Sequence, residues 1–233
     1  MRLNKYIAQA GLCSRRKADE LIPQGRVAVN GGLVVEPGVD VKDGDVVTVD
    51  GRRLSPKKQV YLVLHKPAGY TCTLKDKHAE KKVTELVPRS QGKLFTVGRL
   101  DRESSGLILL TNDGDFAERV THPRYEVEKE YEVTVIPMFR PADADRLVHG
   151  IEDAGERLSA RSVRPKKHVS GKSVLSVVMK EGKKREIRRM FSSLHYHILL
   201  LERIRIGPLT LGSLRVGQYR NLEEKERAAL LRK

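Results

Sequence analysis

Apolar positions recur at helical spacing near the start of the chain, at Leu3, Tyr6, Ile7 and Ala10, and Gly11 ends the run. Ser14 is placed to cap a second helix over residues 15–22, which stops before Gly25. The pattern then turns strand-like: Val27-Ala28-Val29, an Asn30-Gly31-Gly32 turn, Val34-Val35, and residues 46–49 ahead of Asp50-Gly51. Two short helices followed by a small twisted sheet are predicted. Residues 52–58 are polar and basic and contain Pro56, which reads as a linker.

Beyond residue 59 strands and helices alternate over longer stretches. Residues 60–64 form a strand that stops at Lys66-Pro67, and two apolar runs, 95–97 and 107–110, flank a polar loop at 98–106. Residues 113–120 have helical character, and 129–136 alternate as a strand with Tyr131, Val133 and Val135 on one face. A helix with proline near its start follows at 141–149, then a strand at 174–179, a strongly basic helix at 185–195 and a strand at 197–206. An amphipathic helix at 223–231 is expected to close the chain. The strands lack the regular spacing of βαβ units. The fold class is therefore α+β: a small domain over 1–58, then a larger mixed, mainly antiparallel-sheet domain over 59–233.

Charge narrows the partner. The 233 residues carry 45 Lys and Arg against 30 Asp and Glu, a net +15, with 39% hydrophobic and 32% charged residues. That composition folds, and its surplus calls for a polyanion, either nucleic acid or an anionic membrane surface. No apolar run approaches the roughly 18 residues of a membrane span. Residues 1–5 lack the apolar stretch of a secretory signal. Cys13 and Cys72 suit a reducing, cytoplasmic setting and supply neither a disulfide framework nor a four-ligand zinc site. Nucleic acid leads. Residues 1–58 hold 11 basic and 7 acidic residues, so most of the surplus lies in the larger domain.

Arg2, Lys5, Arg15, Arg16, Lys17 and Arg26 crowd the helical part of the small domain. Cations in the first turn of a helix oppose its dipole, so phosphate binding accounts for residues 15–17 better than stability does. The segments Arg2-Leu3-Asn4-Lys5-Tyr6-Ile7-Ala8, Ser14 through Ile22 and Gly25 through Gly31 resemble the S4-like RNA-binding domain. The resemblance implies recognition of folded RNA by shape and phosphate placement.

Three clusters in the larger domain carry candidate chemistry. In the loop Gly98-Arg99-Leu100-Asp101-Arg102-Glu103-Ser104-Ser105-Gly106, the flanking apolar runs would hold Asp101 on a rigid scaffold, and Arg99 and Arg102 bracket its carboxylate. Between Arg164 and Arg189 lie ten basic and two acidic residues. Ile187, Met190 and Phe191 interrupt them at helical spacing, so one side is buried and the other faces an anion. Lys183, Lys184, Arg185 and Arg189, with Arg102, are candidate RNA contacts. The third cluster centres on Tyr131, on the apolar side of its strand; a lone tyrosine there is more often core than catalyst.

Taken with His65-Lys66-Pro67-Ala68-Gly69-Tyr70, Leu110-Thr111-Asn112-Asp113-Gly114, His122-Pro123-Arg124-Tyr125 and Lys129-Glu130-Tyr131, these clusters resemble, in order along the chain, the ribosomal-RNA pseudouridine synthases that carry an S4-like domain. The resemblance implies that Asp101 is the catalytic aspartate, Tyr131 the active-site tyrosine, Arg188 the basic partner of Asp101, and Ile187 an aliphatic wall near the base; Arg99 either holds the RNA backbone at the substrate pocket or fixes the loop through hydrogen bonds. It also implies ribosomal RNA as partner, in a pre-ribosomal particle and favouring the large subunit over the small, and a monomeric enzyme. The reaction breaks N1–C1′ of uridine and rejoins the base through C5. Nothing is oxidised and nothing leaves, so no cofactor or metal is expected. One carboxylate either adds to the cation-like C1′ or assists proton loss from C2′, and both routes stay open. The competing class is a non-catalytic RNA-binding assembly factor or chaperone, which has no need of the Asp101, Tyr131 and Arg188 set. A methyltransferase would need a glycine-rich cofactor loop, which is missing, and a paired-carboxylate glycosidase would need Glu103 beside Asp101.

Overall fold

Two Asx-Gly pairs set the shape of the small unit. Asn30 and Gly31 (φ 53° and 84°), then Asp50 and Gly51 (φ 51° and 75°), all sit in the left-handed region that a two-residue hairpin turn requires. The computed structural model describes residues 1–73 and 80–232, and the chain divides into two compact units, Met1–Gln59 and Val60–Lys233. The first contains α1 (Leu3–Gln9), α2 (Arg15–Leu21), and β1 (Val27–Val29), β2 (Gly32–Val34), β3 (Val47–Val49) and β4 (Arg52–Arg53), ordered β2-β1-β3-β4. Ser14 Oγ accepts from the Lys17 N–H at 3.3 Å and so caps α2. Leu3, Ile7, Ala18, Ile22, Val27 and Val47 form the core. Arg52 and Arg53, read from sequence as linker, instead pair with Val49 and Thr48, because a two-residue turn at Asp50-Gly51 leads directly into a second strand.

The larger unit runs β5 (Tyr61–Lys66), β6 (Phe95–Val97), β7 (Ser105–Thr111), α3 (Gly114–Thr121), β8 (Lys129–Ile136), α4 (Ala142–His149), β9 (Ile151–Asp153), β10 (Glu156–Leu158), β11 (Ser162–Val169), β12 (Lys172–Met179), α5 (Glu186–Ser193), β13 (His197–Ile206), β14 (Leu209–Thr210), β15 (Tyr219–Asn221) and α6 (Glu224–Leu231). The main sheet has the order β11-β12-β8-β13-β7-β5-β15, with β6 on β7 and β14 on β13. Its pairings are antiparallel except one: β13 and β7 run parallel over two residue pairs, Glu202 with Ser105 and Arg203 with Gly106. That short seam joins two antiparallel halves, and each half has its own buried core. Seven consecutive buried residues in β7 reflect burial on both faces at the centre of the sheet.

Two sequence readings change here. Strand β11 escaped the hydrophobic pattern because Arg164 through Val169 are exposed; it is an edge strand carrying Pro165, Lys166 and Lys167, the residues that blunt an edge. Helix α6 is not amphipathic: Ala228 through Leu231 are contiguous rather than periodic, and only Leu230 is buried. The bidentate Arg220–Glu226 pair, both contacts at 2.7 Å, ties it to β15 instead. Among the described residues no helix is long and apolar enough to cross a membrane.

Candidate active site

The loop between β6 and β7 is held from beneath by Lys66, the last residue of β5. Its side chain is wholly buried, and its ammonium donates to the carbonyls of Ser104 (2.6 Å), Pro67 (3.0 Å) and Asp101 (3.2 Å), with that of Arg102 at 3.4 Å. Burial lowers the Lys66 pKa, while Cys72, Glu103 and Asp101 act in the opposite direction. The Gly69 N–H also donates to the Arg102 carbonyl at 2.7 Å. Leu100 is buried, and its N–H donates to Cys72 Sγ at 3.4 Å. The backbone around Asp101 is thereby fixed, and its carboxylate, about one third exposed, looks into a cleft.

Two guanidinium groups reach that carboxylate from the other half of the sheet. Arg188 on α5 donates through Nη2 to Ser104 Oγ at 3.2 Å, and its Nε lies 3.9 Å from Asp101 Oδ2. That Nε is buried and has no hydrogen-bond partner among the described residues, and burial lowers the Arg188 pKa, with the neighbouring Arg185 charge acting the same way. The sequence pattern places Arg185 inside the helix, but it precedes the first turn with a left-handed backbone (φ 53°). Its Nη1 lies 3.0 Å from Glu103 Oε2 and 4.0 Å from Asp101 Oδ2. Tyr131 enters from β8, half-buried between two apolar clusters. Met179, Ile187 and Leu201 add apolar wall to the same cleft, which is partly open to solvent.

The cleft thus gathers Asp101, Tyr131, Arg188, Ile187 and Arg99. The carboxylate's cationic neighbours are Arg185 and Arg188, not the pair that brackets it in sequence. Arg102 pairs with Glu80 at 3.2 Å, and Arg99 lines the cleft with its side chain exposed. Arg189 is taken up by the β9–β10 hairpin, bonded to the Asp153 carboxylate and, at 2.6 Å, to Glu156. Lys183 donates to the Arg157 carbonyl at 2.7 Å and pairs with Glu181 at 3.0 Å, whereas Lys184 is exposed. In the small unit, Arg26 is bidentate with Asp50 (2.8 and 2.5 Å), Lys17 pairs with Glu20 at 2.7 Å, and Arg2 binds the Gly38 carbonyl. Lys5 is half-buried. Arg15 and Arg16 are exposed and have no ion-pair partner among the described residues. Among the described residues no group of three His, Cys, Asp or Glu side chains is placed to hold a metal ion.

Sequence reasoning gave no role to Lys66, Ser104 or Glu186. A lysine ending an apolar strand was a usable signal for the first; the serine gave none. Glu186 is buried, with Oε2 accepting the Lys183 N–H at 2.9 Å and Oε1 without a hydrogen-bond partner among the described residues. Burial pushes its pKa up to about 7, and Glu181 beside it adds to the rise. An acid whose pKa is raised on folding contributes stability that is full below its unfolded value near 4.3 and is lost as pH rises through 7. Glu186→Gln keeps the acceptor for the Lys183 N–H and removes that loss. Its stability relative to wild type should therefore improve by on the order of 3 kcal/mol between pH 4 and pH 8. Urea unfolding across this range tests it; parallel profiles for the two proteins would refute the assignment.

Residues 60–193 match the model of a protein family described as RNA pseudouridylate synthase, and residues 1–47 match that of the S4 domain. The chain belongs to the RNA pseudouridylate synthase family. It is 38% identical over 231 residues to the ribosomal large subunit pseudouridine synthase B of Bacillus subtilis, covering 97% of this chain and 93% of that protein. It is 36% identical over 229 residues to the dual-specificity RNA pseudouridine synthase RluF of Escherichia coli O157:H7, covering 97% and 77%. A crystal structure of a pseudouridylate synthase superposes with a TM-score of 0.69 at 29% identity, covering 99% of both chains. The S4 domain, the α+β class and the mainly antiparallel sheet expected from sequence agree with these matches. As a pseudouridine synthase the protein is an enzyme, which removes the non-catalytic chaperone reading.

Proposed function

We propose that this pseudouridine synthase isomerises a uridine of ribosomal RNA, in the large subunit, with Asp101 acting at the glycosidic carbon. The observation that carries the reading is the convergence of Asp101, Tyr131 and Arg188 in one cleft from three separate elements: the β6–β7 loop, β8 and α5. Binding alone does not demand that set. The large-subunit assignment is supported by the 38% identity with the Bacillus subtilis protein over nearly its whole length.

In this reading the target nucleotide leaves its stack, at a cost of a few kcal/mol, and its base enters the cleft against the Tyr131 ring. Ile187, Met179 and Leu201 give the base an apolar wall on which it can turn without exchanging hydrogen bonds with water. Asp101 meets C1′ as N1–C1′ breaks, either adding to the carbon or assisting proton loss from C2′. Arg188 orients the carboxylate, and the burial of its own Nε strengthens that interaction. After C5 joins C1′, the proton on C5 is lost and N1 gains one, so the atoms balance. Tyr131 is positioned to help remove the C5 proton. Residues 1–58 would hold folded RNA through Arg15 and Arg16, leaving 59–233 for the chemistry. The enzyme acts as a monomer in the cytoplasm, on RNA within a pre-ribosomal particle. Mapping pseudouridine by carbodiimide-dependent reverse-transcription stops, in ribosomal RNA from a strain lacking the protein, tests the assignment. One large-subunit stop should vanish and return on complementation; an unchanged ribosomal map would refute it.

A further inference from the structure

The Arg185–Glu103 pair stands at the mouth of the cleft and is not required by the fold. Both side chains are about half exposed, the contact is a single one at 3.0 Å, and pairs of this kind contribute little to stability. The backbone of Arg185, in contrast, holds an unfavourable left-handed conformation (φ 53°). That conformation brings its guanidinium to within 4.0 Å of Asp101, while Glu103 keeps hold of the same nitrogen. Arg185 Nη1 is therefore shared between one carboxylate inside the cleft and one at its rim. Arg188 needs no such counter-ion at the rim, since it is mostly buried and already bonded to Ser104. The hydrogen bond to Arg185 is the main cause that lowers the Glu103 pKa, so this carboxylate is an anion at neutral pH.

A nucleotide with its C1′ at Asp101 carries a phosphate on either side of the ribose, one sugar's length from the carboxylate. Arg185, with its guanidinium exposed and 4.0 Å from the Asp101 carboxylate, is within that reach. We propose that Arg185 forms a backbone-phosphate subsite for the reacting nucleotide, and that the Glu103 carboxylate occupies this subsite until RNA displaces it. The inference rests on the reading that Asp101 receives the nucleotide. It assigns a further anion site to that cleft and a specific role to a glutamate that is otherwise unassigned. A phosphate oxygen suits the guanidinium fork at least as well as the carboxylate does, and exchange of one anion for the other leaves no buried charge uncompensated. Glu103 also keeps the free Arg185 from closing onto Asp101 before substrate arrives.

Equilibrium binding of a short fluorescent oligouridylate to the full chain tests this subsite without depending on the natural target, so its failure is separable from failure of the ribosomal mapping. Arg185→Gln should weaken binding about tenfold and make the dependence of log affinity on log salt shallower by about 0.7, the loss of one phosphate contact on a single strand. Glu103→Gln removes the competing anion and should tighten binding about threefold. In the Arg185→Gln background the same Glu103 change should have no effect. A purely structural ion pair predicts the reverse for Glu103→Gln, weaker binding, and no change in salt slope for Arg185→Gln. Either result overturns the proposal.

Discussion

Asp101→Asn is expected to lower pseudouridine formation by about 10⁴-fold or more, while leaving the fold and RNA binding close to wild type. The amide is nearly isosteric with the carboxylate but can neither add to C1′ nor take a proton. Local structure should survive, because what fixes this loop is backbone: the Lys66 ammonium binds the carbonyls of Asp101 and Ser104, and the Arg102 carbonyl accepts from Gly69. Among the described residues no hydrogen bond to the Asp101 side chain has to be replaced, since its nearest guanidinium nitrogens stand at 3.9 and 4.0 Å. Removing a negative charge from between two arginines should, if anything, tighten RNA binding slightly. Release of tritium from RNA labelled at uridine C5 measures the activity, and thermal unfolding controls for the fold. Turnover near the wild-type rate in the variant would exclude Asp101 as the reacting carboxylate.

Gly106→Ala is expected to cost at least about 4 kcal/mol, enough to abolish the folded enzyme or leave it barely stable. A Cβ at this position would lie 2.3 Å from the Arg203 carbonyl oxygen, 2.5 Å from its nitrogen and 2.9 Å from its carbonyl carbon. All three are main-chain atoms of the parallel seam, so relief requires the two halves of the sheet to separate. The φ of +109° adds strain of its own for any residue with a side chain. Activity should disappear together with stability, because the seam holds the Asp101 loop beside Tyr131, and Arg203 lies opposite Tyr131 in the register of β13 on β8. Gly114→Ala is the matched control: nothing lies within 4 Å of a Cβ built there, and its φ is ordinary. It should fold as well as wild type or slightly better. A Gly106→Ala protein with an unchanged urea midpoint would mean that the seam is far more pliable than its contacts indicate.

The contrast between these two glycines is one that hydrophobic patterning does not reveal. Where a local rule governs, the sequence was readable. The Asn30-Gly31 hairpin, the Ser14 cap and the strands Lys129–Ile136 and His197–Ile206 follow from turn chemistry and from alternation within a few residues. Strand β11 obeys no such rule; it is a strand because β12 offers it an edge. The site divides in the same way. Short motifs pointed to Asp101, Tyr131 and Arg188, the last as the basic partner of Asp101, and the three line one cleft; the second cationic neighbour, Arg185, had no such signal. Neighbours along a loop point in different directions, so Arg102 went to Glu80 while arginines more than eighty positions away closed on the carboxylate. The αL turn at Arg185 that aims one of them has no signature in residue type, since arginine rarely adopts it.

The buried ammonium of Lys66 also bears on which RNA the enzyme can use. A loop held on several of its carbonyls by a charge with no access to water does not advance toward a substrate or bend to follow one. Mechanical compliance must then come from the nucleic acid, and the free energy of distortion falls on the RNA. Uridines in bulges, in loop apices or beside weak pairs cost least to unstack, so they are the expected targets if Asp101 receives the nucleotide. Discrimination of that kind would be lost first by a substitution that slackens the loop, well before one that removes a contact to the base.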